Sequence, residues 1–212
     1  MSDKPRFIVV EGPIGVGKTS LVHRLANHFG SEKLLEGAEE NPFLQRFYKN
    51  PREAAFPAQL FFLFQRSRQW NELSQLDMFR QHLIADFMLE KDRLFAQINL
   101  DRDELQLYEQ VYDRLTLQAP PPDLIVYLQA PVEILMKRIR QRARPEEQTI
   151  ERGYLQKLCD AYADFFYYYD RSRLLIINAA EINPLQREDD FQLLVEHICN
   201  PGPERRYLNL NT

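Results

Sequence analysis

Five short apolar segments punctuate the chain: RFIVVE at residues 6–11, KLLEG near 33, HLIADF near 82, DLIVYLQ from 123 and LLIINA from 174. Segments apolar at successive positions, not alternate ones, predict strands buried on both faces of a parallel sheet. Helical patterns fill the intervals. The order strand, helix, strand, several helices, strand, helix, strand, helix, strand predicts an α/β fold, a five-stranded parallel sheet, doubly wound and flanked by helices on both faces. From about Asn41 to Leu76 the chain reads as mostly helical, and FPAQLFFLFQRSRQW is apolar on nearly every side. A helix of that kind is either buried or self-associating. Within it Gln59 and Arg66 are seven residues apart and share one face, two turns apart, with Phe62 and Leu63 between them. Ala119 to Pro122, APPP, closes one helix and leads into a strand. The tail after Asn200, PGPERRYLNLNT, reads as loosely held, and there is no internal repeat.

At 212 residues, 44% of them hydrophobic, the chain is long enough for a core of ordinary size and reads as a single domain over 1–212. A formal net charge of −4 with scattered cations lacks the basic excess that a nucleic-acid polymer demands. A small anionic ligand fits better. The start MSDKPRF has no apolar signal region and no run approaches the ~20 apolar residues of a membrane span, so a cytoplasmic protein without membrane contact is expected. Cys159 and Cys199 lie 40 residues apart without a CxxC partner, which predicts reduced thiols and no zinc site.

The candidate chemistry begins at VVEGPIGVGKTS, Val9 to Ser20. Here a strand runs into the amphipathic helix TSLVHRLANHF through Gly12, Pro13, Ile14, Gly15, Val16, Gly17, Lys18, Thr19 and Ser20. The spacing is that of a P-loop: glycines turn backbone N–H groups toward one point and the helix directs its positive end there. Lys18 reaches the outer phosphates of a nucleotide and Thr19 ligands Mg²⁺. No NKxD-like segment for guanine is present, which leaves an ATP-dependent kinase as the leading class.

A kinase acting on a hydroxyl needs a carboxylate near it, a cationic segment that closes over the phosphates, and a pocket for the acceptor. Glu36 ends the second strand, where doubly wound sheets border their ligand crevice, although an exposed loop acid reads the same way. In KRIRQRARPEEQTI, Arg138 and Arg142 are one helical turn apart, Arg140 and Arg144 lie beside them, and Pro145, Glu146 and Glu147 follow. The helix dipole favours cations there, but four arginines within seven residues also suit a lid, about 138–150, that closes on phosphates.

Together GPIGVGKTS, ENPFLQRFY after Glu36, FPAQLFFLFQRSRQ, EKDRLFA and RIRQRARPEEQTIERGYLQKL resemble the deoxynucleoside kinases, nearest to the bacterial deoxyadenosine and deoxyguanosine kinases, over roughly residues 6–178. The resemblance implies a P-loop kinase fold with an arginine-rich lid, ATP as co-substrate with Mg²⁺, and phosphorylation of the 5′-hydroxyl of a deoxyribonucleoside for nucleotide salvage. A purine is expected, deoxyadenosine first. It implies Glu36 as general base, Tyr48 and Glu147 on the sugar 3′-hydroxyl, Gln59 on the base edge with Arg66 beside it, and Phe95 stacked on the ring. Lys18, Arg138, Arg142 and Arg144 act on the phosphates, and Asp86 joins Thr19 at the metal. Relatives are commonly homodimers joined through helices, and the apolar helix Phe56 to Trp70 suits either that role or the core.

One segment departs from the pattern. Where the family has Glu-Arg-Ser or Asp-Arg-Ser after the third strand, this chain has Ile84 to Phe87, IADF. Asp86 keeps the acid; Lys91 and Arg93 are the candidates for the absent arginine, and Asp92 is the candidate to pair with Arg66. Two alternatives stay open: a nucleoside monophosphate kinase of similar fold, and an inactive relative serving as an assembly subunit.

Overall fold

The computed structural model describes residues 5–75, 82–115, 120–200 and 202–209. The sheet has strands β1 (Phe7–Glu11), β2 (Glu32–Leu34), β3 (Leu83–Ala85), β4 (Leu124–Gln129), β5 (Arg173–Asn178) and β6 (Arg205–Leu208), in the order β2-β3-β1-β4-β5-β6. Every ladder is parallel, with Val9 opposite Ala85 and Ile125, and Ile176 opposite Tyr207. All five β1 residues and the first five of β4 are buried, as a sheet covered on both faces requires.

The expected five strands are therefore six, and the tail expected to be loose supplies the sixth. Leu208 is buried, Tyr207 is exposed, and the Arg205 guanidinium donates to the carbonyls of Phe166 and Tyr169 at 3.0 and 2.9 Å. RRYL is too short and too polar to show the apolar run of a central strand, because it is an edge strand with one face in solvent. Of the APPP run, Ala119 lies outside the described residues, as do Leu76 and Met1–Lys4. Pro120 to Pro122 lead to Asp123, whose carboxylate accepts from the backbone N–H groups of Arg6 and Phe7 at 2.7 and 2.8 Å and joins the start of β4 to β1.

The helices are α1 (Lys18–Phe29), α2 (Leu44–Lys49), α3 (Pro51–Gln75), α4 (Glu90–Asn99), α5 (Arg102–Leu115), α6 (Val132–Arg142), α7 (Arg152–Tyr168) and α8 (Glu188–Cys199). Helix α1 buries Leu21, Val22, Leu25 and Ala26, the stripe that its 3.6-residue period predicts. Helix α3 packs against α2, α4 and α5, so its two-sided apolar character is largely core. Among the described residues no helix is long and apolar enough to cross a membrane. Cys159 and Cys199 are unbridged, and burial, then Asp160, push the Cys159 thiol up to about 11.

One consequence of the topology fixes the site. Strand β1 lies between β3 and β4, so the chain leaves it toward one edge of the sheet and later crosses to the other. Ligands of such sheets bind beyond the carboxyl end of the strand at that switch. Residues 12–18 follow β1 at that position.

Candidate active site

Gly12 and Gly15 let the chain turn sharply after β1. Gly12 has φ +146°, and a Cβ there would lie 2.4 Å from the Leu128 carbonyl oxygen, so only glycine lets the loop pass β4 this closely. Lys18 folds back over the loop, its Nζ donating to the carbonyls of Gly12 and Pro13 at 2.7 and 3.3 Å. Burial, then the neighbouring Lys91 cation, lowers Lys18 to about 8.

Beneath the loop Glu11 is fully buried at the end of β1. Its carboxylate accepts from the N–H of Gly12, the N–H of Met88 and the Tyr162 hydroxyl, each at 3.0 Å. Burial pushes its pKa up, only partly offset by Lys91 and Lys18. The side chain ties the phosphate loop to the turn after β3 and to α7. Sequence reading passed over it as one more strand residue.

Thr19 Oγ1 donates to Asp86 Oδ2 at 2.5 Å, and Asp86 Oδ1 accepts from the Glu36 N–H at 2.8 Å. One carboxylate thus joins the first turn of α1 to the segment after β2. A hydroxyl and a carboxylate side by side at the loop are hard oxygen donors of the kind Mg²⁺ takes together with water and substrate phosphates.

Glu36 stands two residues beyond β2 and is the hub of an ion-pair cluster. Its Oε1 accepts from Arg66 Nη2 and its Oε2 from Lys91 Nζ, the latter at 2.8 Å. Arg66 Nη1 in turn pairs with Asp92. Arg66 and Asp92 are 2% and 1% exposed, so this pair has left water entirely. Burial raises the Glu36 carboxyl, but Lys91, Arg66 and Lys18 outweigh it and hold it well below the usual carboxylate range. Of the two candidates for the absent arginine, Lys91 reaches the site; Arg93 points outward to Glu109 at 3.0 Å.

Around this cluster lies a cavity of about 150 Å³ whose walls include Lys18, Thr19, Glu36, Tyr48, Gln59, Arg66, Asp86, Lys91, Phe95, Arg142, Arg144 and Glu147. Gln59 Oε1, Asp92 Oδ2 and Arg66 Nε are buried without hydrogen-bond partners. All three residues line the cavity, so a polar ligand there could satisfy these atoms. Tyr48 and Tyr154 add phenols to the lining. Burial, then Tyr154 and Glu147, raise the Tyr48 hydroxyl well above its ordinary value, so it stays neutral. A larger and more open groove of about 730 Å³ runs past Trp70, Tyr112 and Phe165, but the phosphate loop does not line it.

The arginine segment divides in two. Arg142 donates to Glu147 from Nε at 3.1 Å and from Nη2 at 2.6 Å, and Arg144 approaches the same carboxylate at 3.9 Å. Arg142 ends α6, Arg144 lies just beyond it and Glu147 sits on the short helical turn Pro145–Thr149; all three line the cavity. Arg138 lies on the outer side of the loop, donating to the carbonyls of Val16 and Ala179 at 3.1 and 2.8 Å. A small cleft there is bordered by Gly17, Leu128 and Leu185.

Comparison with known proteins points to one family. The deoxynucleoside kinase family model matches residues 8–200. Deoxyguanosine kinase of Bacillus subtilis (strain 168) is 39% identical over 157 residues, 74% of this chain and 76% of that protein. Deoxyguanosine kinase of Lactobacillus acidophilus is 30% identical over 209 residues, 91% of this chain and 89% of that protein. Among solved structures, deoxyadenosine kinase from M. mycoides with bound dATP is 25% identical, with a TM-score of 0.78 over 90% of this chain and 97% of that one.

Proposed function

The chain belongs to the deoxynucleoside kinase family, and from that premise we propose that it moves the γ-phosphoryl group of Mg-ATP to the 5′-hydroxyl of a purine deoxyribonucleoside. The observation that carries this reading is the position of Glu36. Its carboxylate lies in one cavity with Lys18, Thr19 and Asp86 on the donor side and Gln59, Arg66 and Asp92 on the acceptor side. Glu36 takes the 5′-hydroxyl proton, the oxygen's electron pair forms the bond to phosphorus, and the bond to ADP breaks with its pair left on the β-phosphate oxygen.

Lys18 and the loop N–H groups hold the β- and γ-phosphates, while Arg142 and Arg144 close from the lid. Arg138 serves the donor from the outer side of the loop. Thr19 and Asp86 would hold Mg²⁺, which neutralises phosphate charge when bound. Tyr48 and Glu147 meet the 3′-hydroxyl, and Phe95 stacks on the base. Arg66 leaves Glu36 for the base edge as the nucleoside seats, which frees the carboxylate to accept a proton.

Gln59 offers an amide to adenine, and Arg66 a guanidinium fork to the O6 and N7 acceptors of guanine. With the two similar deoxyguanosine kinases, the fork favours deoxyguanosine over the deoxyadenosine first expected. The test is ADP release from Mg-ATP against the four deoxynucleosides, their ribo forms and the monophosphates. The expected result is highest kcat/KM with deoxyguanosine, then deoxyadenosine. Turnover on monophosphates alone would favour a monophosphate kinase, and ATP binding without any turnover an inactive assembly subunit.

The substrates fit a cytoplasmic enzyme of nucleotide salvage. A homodimer through α3 and α5 is part of this proposal, supported by Phe64 and Leu107, which are 54% and 50% exposed on those helices. Sedimentation equilibrium is expected to give twice the chain mass; a monomer at micromolar concentration contradicts the dimer.

A further inference from the structure

Lys91 is placed where local physics disfavours it. It is the second residue of α4, at the positive end of the helix dipole, and it is 6% exposed. Its Nζ shares the cavity with a second ammonium, that of Lys18, and the two charges oppose one another. A lysine serving only to pair a carboxylate has no need of such a neighbour. Its ammonium has three donors; one goes to Glu36 at 2.8 Å, and the face of Phe95 lies 5.5 Å away.

Other cations near α4 are committed elsewhere. Arg66 shares Glu36 but is held on its other side by the buried Asp92, and Arg93 is bound to Glu109 at the surface. Phe87, beside Asp86, is apolar and fully buried. Lys91 is the side chain of α4 that brings a positive charge to Glu36 within the cavity the phosphate loop lines.

On the phosphoryl-transfer reading above, we infer that Lys91 is a catalytic residue whose ammonium bridges the acceptor 5′-oxygen and the γ-phosphoryl group during transfer. As the 5′-O–H proton passes to Glu36, that carboxylate becomes neutral and loosens its hold on the ammonium. The N–H groups then face the equatorial oxygens of the phosphoryl group as the O–P bond forms and the P–O bond to ADP breaks. A compact ammonium suits this transfer of contacts better than a planar guanidinium, because its charge has no fixed fork to reorient.

The test compares Lys91→Met, Lys91→Gln and Lys91→Arg in the full chain with wild type, using Mg-ATP and the best deoxynucleoside of the panel. The expected result is a fall in kcat of about 100-fold or more for Met and Gln. KM for both substrates should stay within about threefold. Lys91→Arg, which keeps the charge but not the compact ammonium, should recover only part of the loss. A second reading is affinity for Mg-ADP with aluminium fluoride, a mimic of the phosphoryl group in transfer, beside Mg-ADP alone. Lys91→Met should weaken the fluoride complex and leave Mg-ADP binding unchanged; a structural role would weaken both alike. Near-normal kcat in a folded Lys91→Met protein, or equal weakening of both complexes, overturns the inference and leaves the kinase reading intact. Failure of wild type on every deoxynucleoside would overturn the kinase reading itself.

Discussion

Glu36→Gln is expected to lower kcat by roughly 10²–10⁴-fold while ATP binding is retained. The amide keeps the size of the side chain but cannot take the 5′-hydroxyl proton. It also withdraws the negative charge that both Arg66 and Lys91 use. Because two cations then face each other without it, the variant should melt somewhat lower, and its kinetics must be read on protein shown to be folded. Steady-state rates with deoxyguanosine, together with calorimetric titration of ATP, check both halves. Turnover within about threefold of wild type would remove Glu36 as the general base.

The second large effect is on stability. Asp92→Ala leaves the Arg66 guanidinium, 2% exposed, with only Glu36 as a carboxylate partner. Breaking a buried pair from one side typically costs about 3–5 kcal/mol, because the charge left inside loses a partner that it cannot replace with water. At about 2–4 °C per kcal/mol for a chain of this size, the melting temperature should fall by roughly 6–20 °C. Removing both partners, Arg66→Met with Asp92→Ala, should restore much of that stability while abolishing the preference among bases. Urea melts of wild type and of the single and double variants check this. A single-variant loss below about 1 kcal/mol would mean that the pair is solvated and that the wall of the base site is looser than its geometry implies.

The donor half of the site was legible because its signal is local. A strand, two glycines that must turn, a lysine and a threonine occupy adjacent positions, and the sheet's own topology carries them to the crevice. Strands such as FIVVE and LIVYLQ were equally plain, since burial on both faces leaves every position but the last apolar. Strand β6 was not, because an edge strand reads RRYL. The acceptor half depends on distances that sequence does not contain. Arg66 and Asp92 are 26 residues apart, and Lys91 and Glu36 are 55 apart; their meeting depends on how α4 docks on α3 and where the chain leaves β2. Lys91 carried a faint signal: a charge four residues before Phe95 on one helix face, in a helix whose Leu94 and Ala96 are core. Glu11 carried none, since a single acid at a strand end gives no hint of the three donors converging on it.

Where the phosphoryl group goes decides whether this protein is a 5′-kinase. The most direct measurement follows label from γ-³²P ATP in one turnover with deoxyguanosine, and with 2′,5′-dideoxyguanosine, which lacks the accepting oxygen. The account predicts labelled deoxyguanosine 5′-monophosphate from the first and no transfer to the second. Label that stays in ATP, passes only to water, or reaches only a nucleoside monophosphate supplied as acceptor would contradict it.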